Sequence, residues 1–269
     1  VAKELAGYIR SLDTSRPLTA AVNDVKEDKD PYFSVLDIAG YNYAAGNYEA
    51  DHRRKPNRVM MGTESYALEA FDYWMPVLDH PYVIGDFIWT GFDYIGEASI
   101  GWRGYPQEKN FYPWNLAYCG DIDICGWKRP QSYYRDALWS PDKLALFVHP
   151  PSPSFPLNPK TEKWSKWNWD DVVADWNWKG YENKPMKVDV YSSCAEVELF
   201  LNGKSLGRKP TNRSTKFRNS WEVSWQSGEL KAVGYSNGKK VRETSLYSSG
   251  EPAQIVLSAD RQQILANGD

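Results

Sequence analysis

Four short apolar runs near the start of the chain constrain its fold more than any other feature of the sequence. The runs are Leu18 to Val22, Val35 to Tyr43, Arg58 to Thr63 and Tyr82 to Trp89. The polar or aromatic side chains that close or follow these runs are Asn23, Tyr43, Glu64 and Trp89. Apolar runs of this length with little alternation are typical of parallel strands that are buried on both faces.

Helical segments lie between at least some of the runs, and this order predicts a parallel α/β arrangement. Helix patterns cover Tyr66 to Leu78 and Gln131 to Trp139. Residues 1 to 12 form a further, amphipathic helix pattern by their i, i+4, i+7 spacing. The apolar face of that helix consists of Val1, Leu5, Tyr8, Ile9 and Leu12.

Polar side chains at the carboxyl ends of parallel strands are the distribution expected of a (β/α)8 barrel, which builds its active site there. Four strands cannot close a barrel, so this region is either a small open sheet or the second half of a barrel. Glu64 is then either a site carboxylate or the cap of the helix that follows it.

A second region begins where five prolines between His149 and Pro159 interrupt helix and central strand alike. Beyond them apolar and polar residues alternate, and Asn202-Gly203 and Asn237-Gly238 are hairpin signals. The alternating runs are Lys187 to Tyr191, Glu196 to Leu201, Trp221 to Trp225 and Glu229 to Tyr235. This pattern predicts a β-sandwich. Another alternation starts at Ala253 to Leu257 and Gln263 to Ala266.

Composition excludes some classes of function. The net charge of −3, with no basic stripe, argues against a nucleic-acid or anionic-membrane surface. No apolar run has membrane-spanning length, and no signal peptide is visible. Aromatic residues make up 15% of the chain and suit sugars as well as protein cores.

The three cysteines, Cys119, Cys125 and Cys194, are interpreted as ordinary buried thiols. Cys119 and Cys125 are spaced to close a disulfide across a turn, but nothing in the sequence favours that over two free thiols. No Cys/His cluster has zinc-ligand spacing, so no metal site is predicted.

Several motifs follow one another in a specific order along the first region. They are Leu12-Asp13-Thr14-Ser15-Arg16-Pro17, Asp37-Ile38-Ala39-Gly40-Tyr41-Asn42-Tyr43, Gly62-Thr63-Glu64 and Phe87-Ile88-Trp89-Thr90-Gly91-Phe92-Asp93-Tyr94. In this order they resemble strands 5 to 8 of the catalytic barrel of glycoside hydrolase family 2, the β-galactosidase, β-glucuronidase and β-mannosidase group. Trp176-Asn177-Trp178 and Val197 to Gly207 resemble the immunoglobulin-like domain that follows this barrel, and Gly250-Glu251-Pro252-Ala253 resembles the opening of another sandwich.

The resemblance implies an α/β plus all-β chain of three parts. Residues 1–148 would be the second half of a TIM barrel, residues 149–249 an immunoglobulin-like β-sandwich, and residues 250–269 the truncated start of a further sandwich. The parent would be a secreted or periplasmic bacterial enzyme.

The family's retaining mechanism needs two carboxyl groups roughly 5 to 5.5 Å apart. Glu64 matches the nucleophile. The family's acid/base glutamate belongs to an Asn-Glu pair at the end of strand 4, upstream of Val1, so we expect this chain to be inactive without the missing N-terminal part of the same enzyme. A terminal β-linked sugar, with a β-galactoside favoured, is the implied substrate.

For most of the other candidate site residues, both a functional and a structural role are open. Tyr43 would orient the nucleophile or pack at a barrel rim, and Trp89 would form an apolar floor for the sugar, be a core residue, or both. Asp121 would contact sugar hydroxyls or be a solvated loop residue. His52 would position substrate or lie on a surface helix. Asn23, Asp93 and Glu97 are further rim candidates.

Three alternatives stay open. A β-mannosidase fits the same resemblance, whereas a β-glucuronidase would carry an Asn-x-Lys pair that has no convincing counterpart after Trp89. A non-catalytic carbohydrate-binding module would use the tryptophans between Trp164 and Trp178, although sandwich core and interdomain packing explain them as well.

No organic cofactor is expected, and a structural or substrate-site cation is left open. A half-barrel would expose its inner face, so self-association is expected of the chain alone.

Overall fold

The first region is a parallel sheet with helices beside it. A computed structural model describes residues 1–97, 100, 115–152, 154, 165–167, 169–263, 265–266 and 268. The strands of the sheet are β1 (Thr19–Val22), β2 (Ile38–Asn42), β3 (Met60–Glu64) and β4 (Val83–Asp86). They pair in sequence order, all parallel, which confirms the arrangement predicted from the apolar runs.

Five α-helices accompany this sheet within the described residues. They are α1 (Ala2–Leu12), α2 (Asp30–Phe33), α3 (Tyr48–Arg54), α4 (Ala70–Asp79) and α5 (Pro130–Trp139). The predicted helix from Tyr66 begins as a 3-10 turn over Ala67–Glu69 and becomes α-helical only at Ala70.

The core of this region lies on one side of the sheet and includes Tyr41, Met60 and Val83. The predicted apolar face of α1 does not pack within the chain, because only Ala6 of that helix is buried. Leu5 on this face is 57% exposed, and Phe87 just after β4 is 61% exposed. The first region therefore keeps considerable apolar surface in contact with water.

The second region is built from antiparallel strands in two sheets. In the described part of the chain these strands are β5 (Leu144–Val148), β6 (Pro185–Ser192), β7 (Glu196–Leu201), β8 (Lys204–Pro210), β9 (Arg218–Ser224), β10 (Glu229–Ser236) and β11 (Lys239–Tyr247). One sheet has the order β5-β6-β9 and the other has the order β11-β10-β7-β8. Their inward side chains, together with Trp176, form one buried core.

Two hairpins of this region turn where the sequence predicts them. Asn202 and Gly203 join β7 to β8 with φ values of +50° and +79°, and Asn237 and Gly238 join β10 to β11 with +52° and +72°. Positive φ at both central residues is the geometry of the two-residue turns that match the twist of paired strands. The two Asn-Gly signals are confirmed.

Strand pairing does not divide the chain between residues 148 and 149. Leu144 to Val148 forms β5, which pairs along its length with β6, so these residues lie in the antiparallel region. The change from one region to the other comes between α5 and β5. The proline-rich segment that predicts the boundary follows β5, and most of it lies outside the described residues.

The last part of the chain differs from its prediction. Ala253 to Leu257 forms no strand, and Ile255 and Leu257 are almost fully exposed. The predicted run from Gln263 to Ala266 lies partly outside the described residues. An alternating sequence forms a strand only where a neighbouring strand accepts its hydrogen bonds, and no partner for this segment lies among the described residues.

An apolar cluster joins the two regions. Ala70 and Tyr134 from the helical side pack with Phe147, Trp169 and Tyr191 from the antiparallel side. The Tyr134 hydroxyl donates to the Lys216 carbonyl oxygen at 2.7 Å. The cluster fixes the first region against the second.

The cysteines are all free, but their environments differ. Cys119 and Cys194 are buried, whereas Cys125 is exposed, so the interpretation of three buried thiols is wrong for Cys125. No helix in the described part of the chain is both long enough and apolar enough to span a bilayer.

Candidate active site

The carboxyl ends of the four parallel strands form one edge, and main-chain hydrogen bonds connect the residues there. The Tyr43 N–H donates to the Glu64 carbonyl oxygen at 2.9 Å, and the Trp89 N–H donates to the Ser65 carbonyl oxygen at 3.1 Å. The structure therefore brings Tyr43, Glu64 and Trp89 to neighbouring positions on this edge, because each follows a strand that pairs with the next.

Glu64 is half-buried at the end of β3, and its side chain interacts with the Tyr43 hydroxyl. Burial and the hydrogen bond with Glu64 raise the pKa of Tyr43 well above its ordinary value, so Tyr43 is a hydrogen-bond donor at neutral pH. Tyr43 also has φ of +51°, a conformation that few residues other than glycine adopt. The pairing of its N–H with Glu64 helps to hold that conformation.

Three aromatic rings form a wall beside Glu64. Tyr43 stacks on Tyr66 with ring centroids 4.2 Å apart, and Trp167 meets both rings edge-on at 5.6 Å and 5.0 Å. The Trp167 indole N–H donates to the Tyr43 hydroxyl oxygen at 2.9 Å. The sequence points to Trp167 only as one of the tryptophans between Trp164 and Trp178, with a carbohydrate-binding or packing role, and not as a neighbour of Glu64. It follows Glu64 by about a hundred positions, and no local pattern links the two.

Trp89 is half-buried and packs against a small cluster that contains Ala117 and Cys119. Its indole N–H donates to the Tyr94 hydroxyl at 3.3 Å, and Tyr94 in turn donates to Glu97. Trp89 thus serves the packing of the loop after β4, which was the alternative reading, and it still lies at the same edge as Glu64. The rim candidate Glu97 is connected to that edge through Tyr94.

A buried carboxyl group supports the strand that carries Glu64. The Ser65 hydroxyl donates to Asp86 Oδ2 at 2.7 Å, and Asp86 Oδ1 is buried without a hydrogen-bond partner. A side chain at Gly62 would place its Cβ 2.3 Å from that Oδ1, so a larger residue there would force the Asp86 carboxylate to move. Burial raises the pKa of Asp86 to about 6, while the bond from Ser65 opposes the shift. Sequence reasoning missed Asp86, because it reads as one polar residue within a strand.

Asp121 does not face the open edge of the sheet. Its carboxylate accepts a hydrogen bond from the Arg135 guanidinium of α5 at 2.8 Å, and both side chains are buried. Burial raises the pKa of Asp121 to about 6 against the attraction of Arg135. The loop thus turns the Asp121 side chain inward, towards Arg135, and a contact with sugar hydroxyls stays a prediction.

Asp93 is likewise turned inward, where its carboxylate pairs with Arg129. Asn23 is exposed at the edge, and its side-chain oxygen accepts a hydrogen bond from the Asn42 amide at 2.7 Å. Asn42 precedes Tyr43, so Asn23 remains connected to the candidate site while Asp93 does not face it.

His52 lies away from the candidate site. It belongs to α3, and its ring stacks on Tyr82 at 3.6 Å between centroids. Tyr82 precedes β4 and is therefore at the opposite edge of the sheet from Glu64. The structure therefore does not bring His52 to the edge that carries Glu64, because distance along the chain after Tyr43 does not determine which sheet edge a helix residue reaches. Its role in positioning substrate stays a prediction.

Metal binding finds no support among the residues that the structure describes. They contain no group of three or more histidine, cysteine, aspartate or glutamate side chains that could hold a metal ion. The edge instead offers one half-buried carboxylate, a tyrosine hydroxyl directed at it, and several aromatic rings. Such a set suits nucleophilic attack by the carboxylate on a substrate that stacks on aromatic rings.

Comparisons with known proteins agree on one family of enzymes. A family model described as "Domain of unknown function (DUF4982)" matches residues 183–242. A crystal structure of a glycosyl hydrolase family 2 member from Bacteroides cellulosilyticus is similar with a TM-score of 0.92 and 51% identity, covering 99% of this chain and 35% of that one. The β-galactosidase BoGH2A of Bacteroides ovatus is 27% identical over 99% of this chain and 32% of its own length.

A putative β-glucuronidase of Formosa agariphila is 33% identical over 71% of this chain and 16% of its own length. The chain thus spans about a third or less of the relatives that it matches. The names of these relatives all describe glycoside hydrolases, but the two that name a sugar differ, one being a β-galactosidase and the other a putative β-glucuronidase.

Proposed function

We propose that this chain, which belongs to glycoside hydrolase family 2, carries the nucleophile of a retaining exo-β-glycosidase, and that Glu64 is this nucleophile. The observation that carries the proposal is the position of Glu64 at the carboxyl edge of the parallel sheet, beside Tyr43: the Tyr43 N–H donates to the Glu64 carbonyl oxygen at 2.9 Å, and the Tyr43 hydroxyl interacts with the Glu64 carboxylate. A structural glutamate at a strand end has no need of a half-buried tyrosine whose hydroxyl interacts with its carboxylate. A nucleophile does, because it must present one oxygen in a fixed direction.

In this mechanism one Glu64 oxygen attacks the anomeric carbon while an acid protonates the leaving oxygen, and the glycosidic bond breaks. The product is a glycosyl ester on Glu64, which water then hydrolyses with the former acid acting as base. Tyr43 donates to one Glu64 oxygen and leaves the other free to attack. The acid/base carboxyl is assigned to residues outside the 269 of this chain.

The same proposal gives the two regions their place in an enzyme. We assign the parallel sheet to strands 5 to 8 of a (β/α)8 barrel, whose other strands come from the N-terminal part of the same enzyme. The antiparallel region is assigned to an immunoglobulin-like sandwich, a choice supported by its two sheets of three and four described strands around one core.

A β-galactoside is our first choice of substrate, with a β-glucuronide or β-mannoside as alternatives. The Trp89 ring lies at the edge that holds Glu64, where the apolar face of a sugar could stack on it. A separate carbohydrate-binding module has less support, because Trp169 and Trp176 are buried in packing and offer no stacking surface. Trp164, the first tryptophan of that cluster, lies outside the described residues.

The decisive experiment replaces Glu64 by glutamine in the full-length protein. We expect kcat/KM for an aryl β-galactoside to fall by a factor on the order of 10³ or more, because glutamine cannot form the glycosyl ester. Glu49→Gln is the matched control, since Glu49 is an exposed glutamate of α3. Near wild-type turnover of the Glu64→Gln protein would refute the proposal.

A trapping experiment tests the same residue directly. A 2-deoxy-2-fluoro-β-galactoside with a good leaving group should inactivate the full-length protein, and peptide mass mapping should place the added sugar on Glu64. Parallel assays with aryl β-glucuronide and aryl β-mannoside decide between the substrate classes.

A further inference from the structure

Trp167 contacts the candidate site although it comes after β5 in the sequence, more than a hundred positions beyond Tyr43. It belongs to a short described segment, residues 165–167, that follows β5 of the antiparallel region. Its indole N–H lies 2.9 Å from the Tyr43 hydroxyl oxygen, and its ring also contacts Tyr66. The residue touches Tyr43, and Tyr43 touches Glu64, so it is one step removed from the proposed nucleophile.

The chemistry of the two groups fixes the direction of this hydrogen bond. An indole N–H is a donor only, so the Tyr43 oxygen must accept from Trp167. A tyrosine hydroxyl has a single proton of its own, and that proton must then point elsewhere. Glu64 lies beside Tyr43, since the Tyr43 N–H donates to the Glu64 carbonyl oxygen at 2.9 Å, and its carboxylate is the acceptor that interacts with this hydroxyl.

We propose that Trp167 is a positioning residue for the nucleophile: by occupying an acceptor site of Tyr43, it directs the tyrosine proton to Glu64. This inference rests on the proposed function of Glu64. The effect of Trp167 is therefore on the orientation of an attacking carboxylate, and it reaches that carboxylate only through the Tyr43 hydroxyl.

The segment that carries Trp167 is fixed to the turn that follows Glu64. The Lys166 carbonyl oxygen accepts from the Leu68 N–H at 3.3 Å, and the Lys166 ammonium pairs with Glu69 at 2.8 Å. The Ser165 hydroxyl donates to the Ile100 carbonyl oxygen. These contacts hold Trp167 where it meets Tyr43, so a segment after β5 completes the surroundings of a residue on the parallel sheet.

The first test replaces Trp167 by phenylalanine in the full-length protein, which keeps an aromatic ring and removes the N–H donor. We expect kcat for an aryl β-galactoside, and the rate of inactivation by the fluorinated galactoside, to fall roughly 3- to 10-fold. KM should change less than about 2-fold, because substrate binding does not use the lost hydrogen bond.

Trp169→Phe is the matched control. The Trp169 indole N–H also donates to a tyrosine hydroxyl, that of Tyr191 at 3.2 Å, but this pair lies in the cluster between the two regions. We expect its catalytic constants to stay within about 2-fold of wild type. Should Trp167→Phe fold poorly, 3-benzothienylalanine at position 167 keeps the shape of the indole and removes only the donor.

A double-mutant cycle separates positioning from packing. Tyr43→Phe alone should lower kcat by a factor on the order of 10². If Trp167 acts through the tyrosine hydroxyl, adding Trp167→Phe to Tyr43→Phe should cost less than about 2-fold more. Full additivity, or wild-type constants for Trp167→Phe, would overturn the inference. An active Glu64→Gln protein would instead refute the proposed function, so the two failures are distinguishable.

Discussion

The parallel region and the antiparallel region differ in how completely they bury their apolar residues. The antiparallel region encloses its core, so that Trp176, Val188 and Leu199 are not exposed at all. The parallel region leaves Leu5 and Phe87 more than half exposed. The candidate site lies in the region that is less completely covered. Stability and chemistry therefore depend on different parts of this chain, and substitutions should separate them.

Buried aspartates show the same contrast. Asp189 in β6 is fully buried, yet it accepts hydrogen bonds from His149 at 2.8 Å and from Ser220 and Arg218. These partners hold the pKa of Asp189 far below its ordinary value despite burial. Among the described residues, Asp86 receives one side-chain hydrogen bond, from Ser65, and burial raises its pKa to about 6 against that bond and the more distant Arg135 charge. The number of hydrogen-bond donors around a buried aspartate, and not burial alone, thus decides whether its pKa is raised or lowered.

The largest expected difference in stability comes from one substitution made in both regions. Leu199→Ala removes a fully buried side chain from the sandwich core and should cost about 2 to 5 kcal/mol of unfolding free energy. Leu5→Ala on the exposed face of α1 should change it by no more than about 0.5 kcal/mol. Urea unfolding of the 269-residue chain measures both. Equal losses would contradict the contrast, because they would mean that the face of α1 is covered in solution.

The second prediction concerns the pH dependence of the Asp86 contribution. Its folded-state pKa of about 6 lies above the ordinary aspartate value, so the folded state binds a proton more tightly than the unfolded state does. The contribution of protonated Asp86 to the stability of the folded state is therefore present near pH 4 and is lost as the pH rises through about 6. In the wild-type protein, ionisation of Asp86 should lower the free energy of unfolding by about 1 to 3 kcal/mol between pH 4 and pH 7, and the Asp86→Asn protein should lack this decrease.

Asp189 provides the comparison for that experiment. Its lowered pKa means that the folded state releases the proton more readily, so its contribution is present at neutral pH and is lost only as the pH falls below the ordinary aspartate value. Denaturant unfolding of Asp86→Asn, Asp189→Asn and wild type at about pH 3 and about pH 7 measures the difference, because this range crosses the ordinary aspartate pKa. Finding the same sign of pH dependence for both substitutions would show that Asp86 has partners in solution beyond Ser65.

Regular elements were predictable from the sequence where side-chain patterns are local. The four apolar runs and the Asn-Gly hairpins were found because periodicity and turn chemistry act over a few residues. Strands β8 and β11 are predicted only indirectly, through the hairpin turns that precede them, because they lie at the edges of their sheet and carry mostly exposed polar residues. Edge strands need no apolar alternation.

The candidate site was predictable only in part, for a related reason. Glu64, Tyr43 and Trp89 follow consecutive strands, so the order of the strands was enough to place them together. Asp121 depends on which way a loop folds back towards Arg135, and Trp167 meets Tyr43 across 124 positions of the chain. Such contacts are set by tertiary packing, and no single stretch of sequence encodes them.

The smallest expected effect concerns the ion pairs between the two regions. Arg213 donates to both carboxylate oxygens of Asp79 at 2.8 and 2.9 Å, but both side chains are about half exposed. Water and salt screen such a pair, so Arg213→Ala should cost no more than about 0.5 kcal/mol, and less in about 0.5 M salt. Unfolding in urea at low and high salt measures this. A salt-independent loss above about 1.5 kcal/mol would show that charges, and not the apolar cluster around Tyr134 and Trp169, hold the regions together.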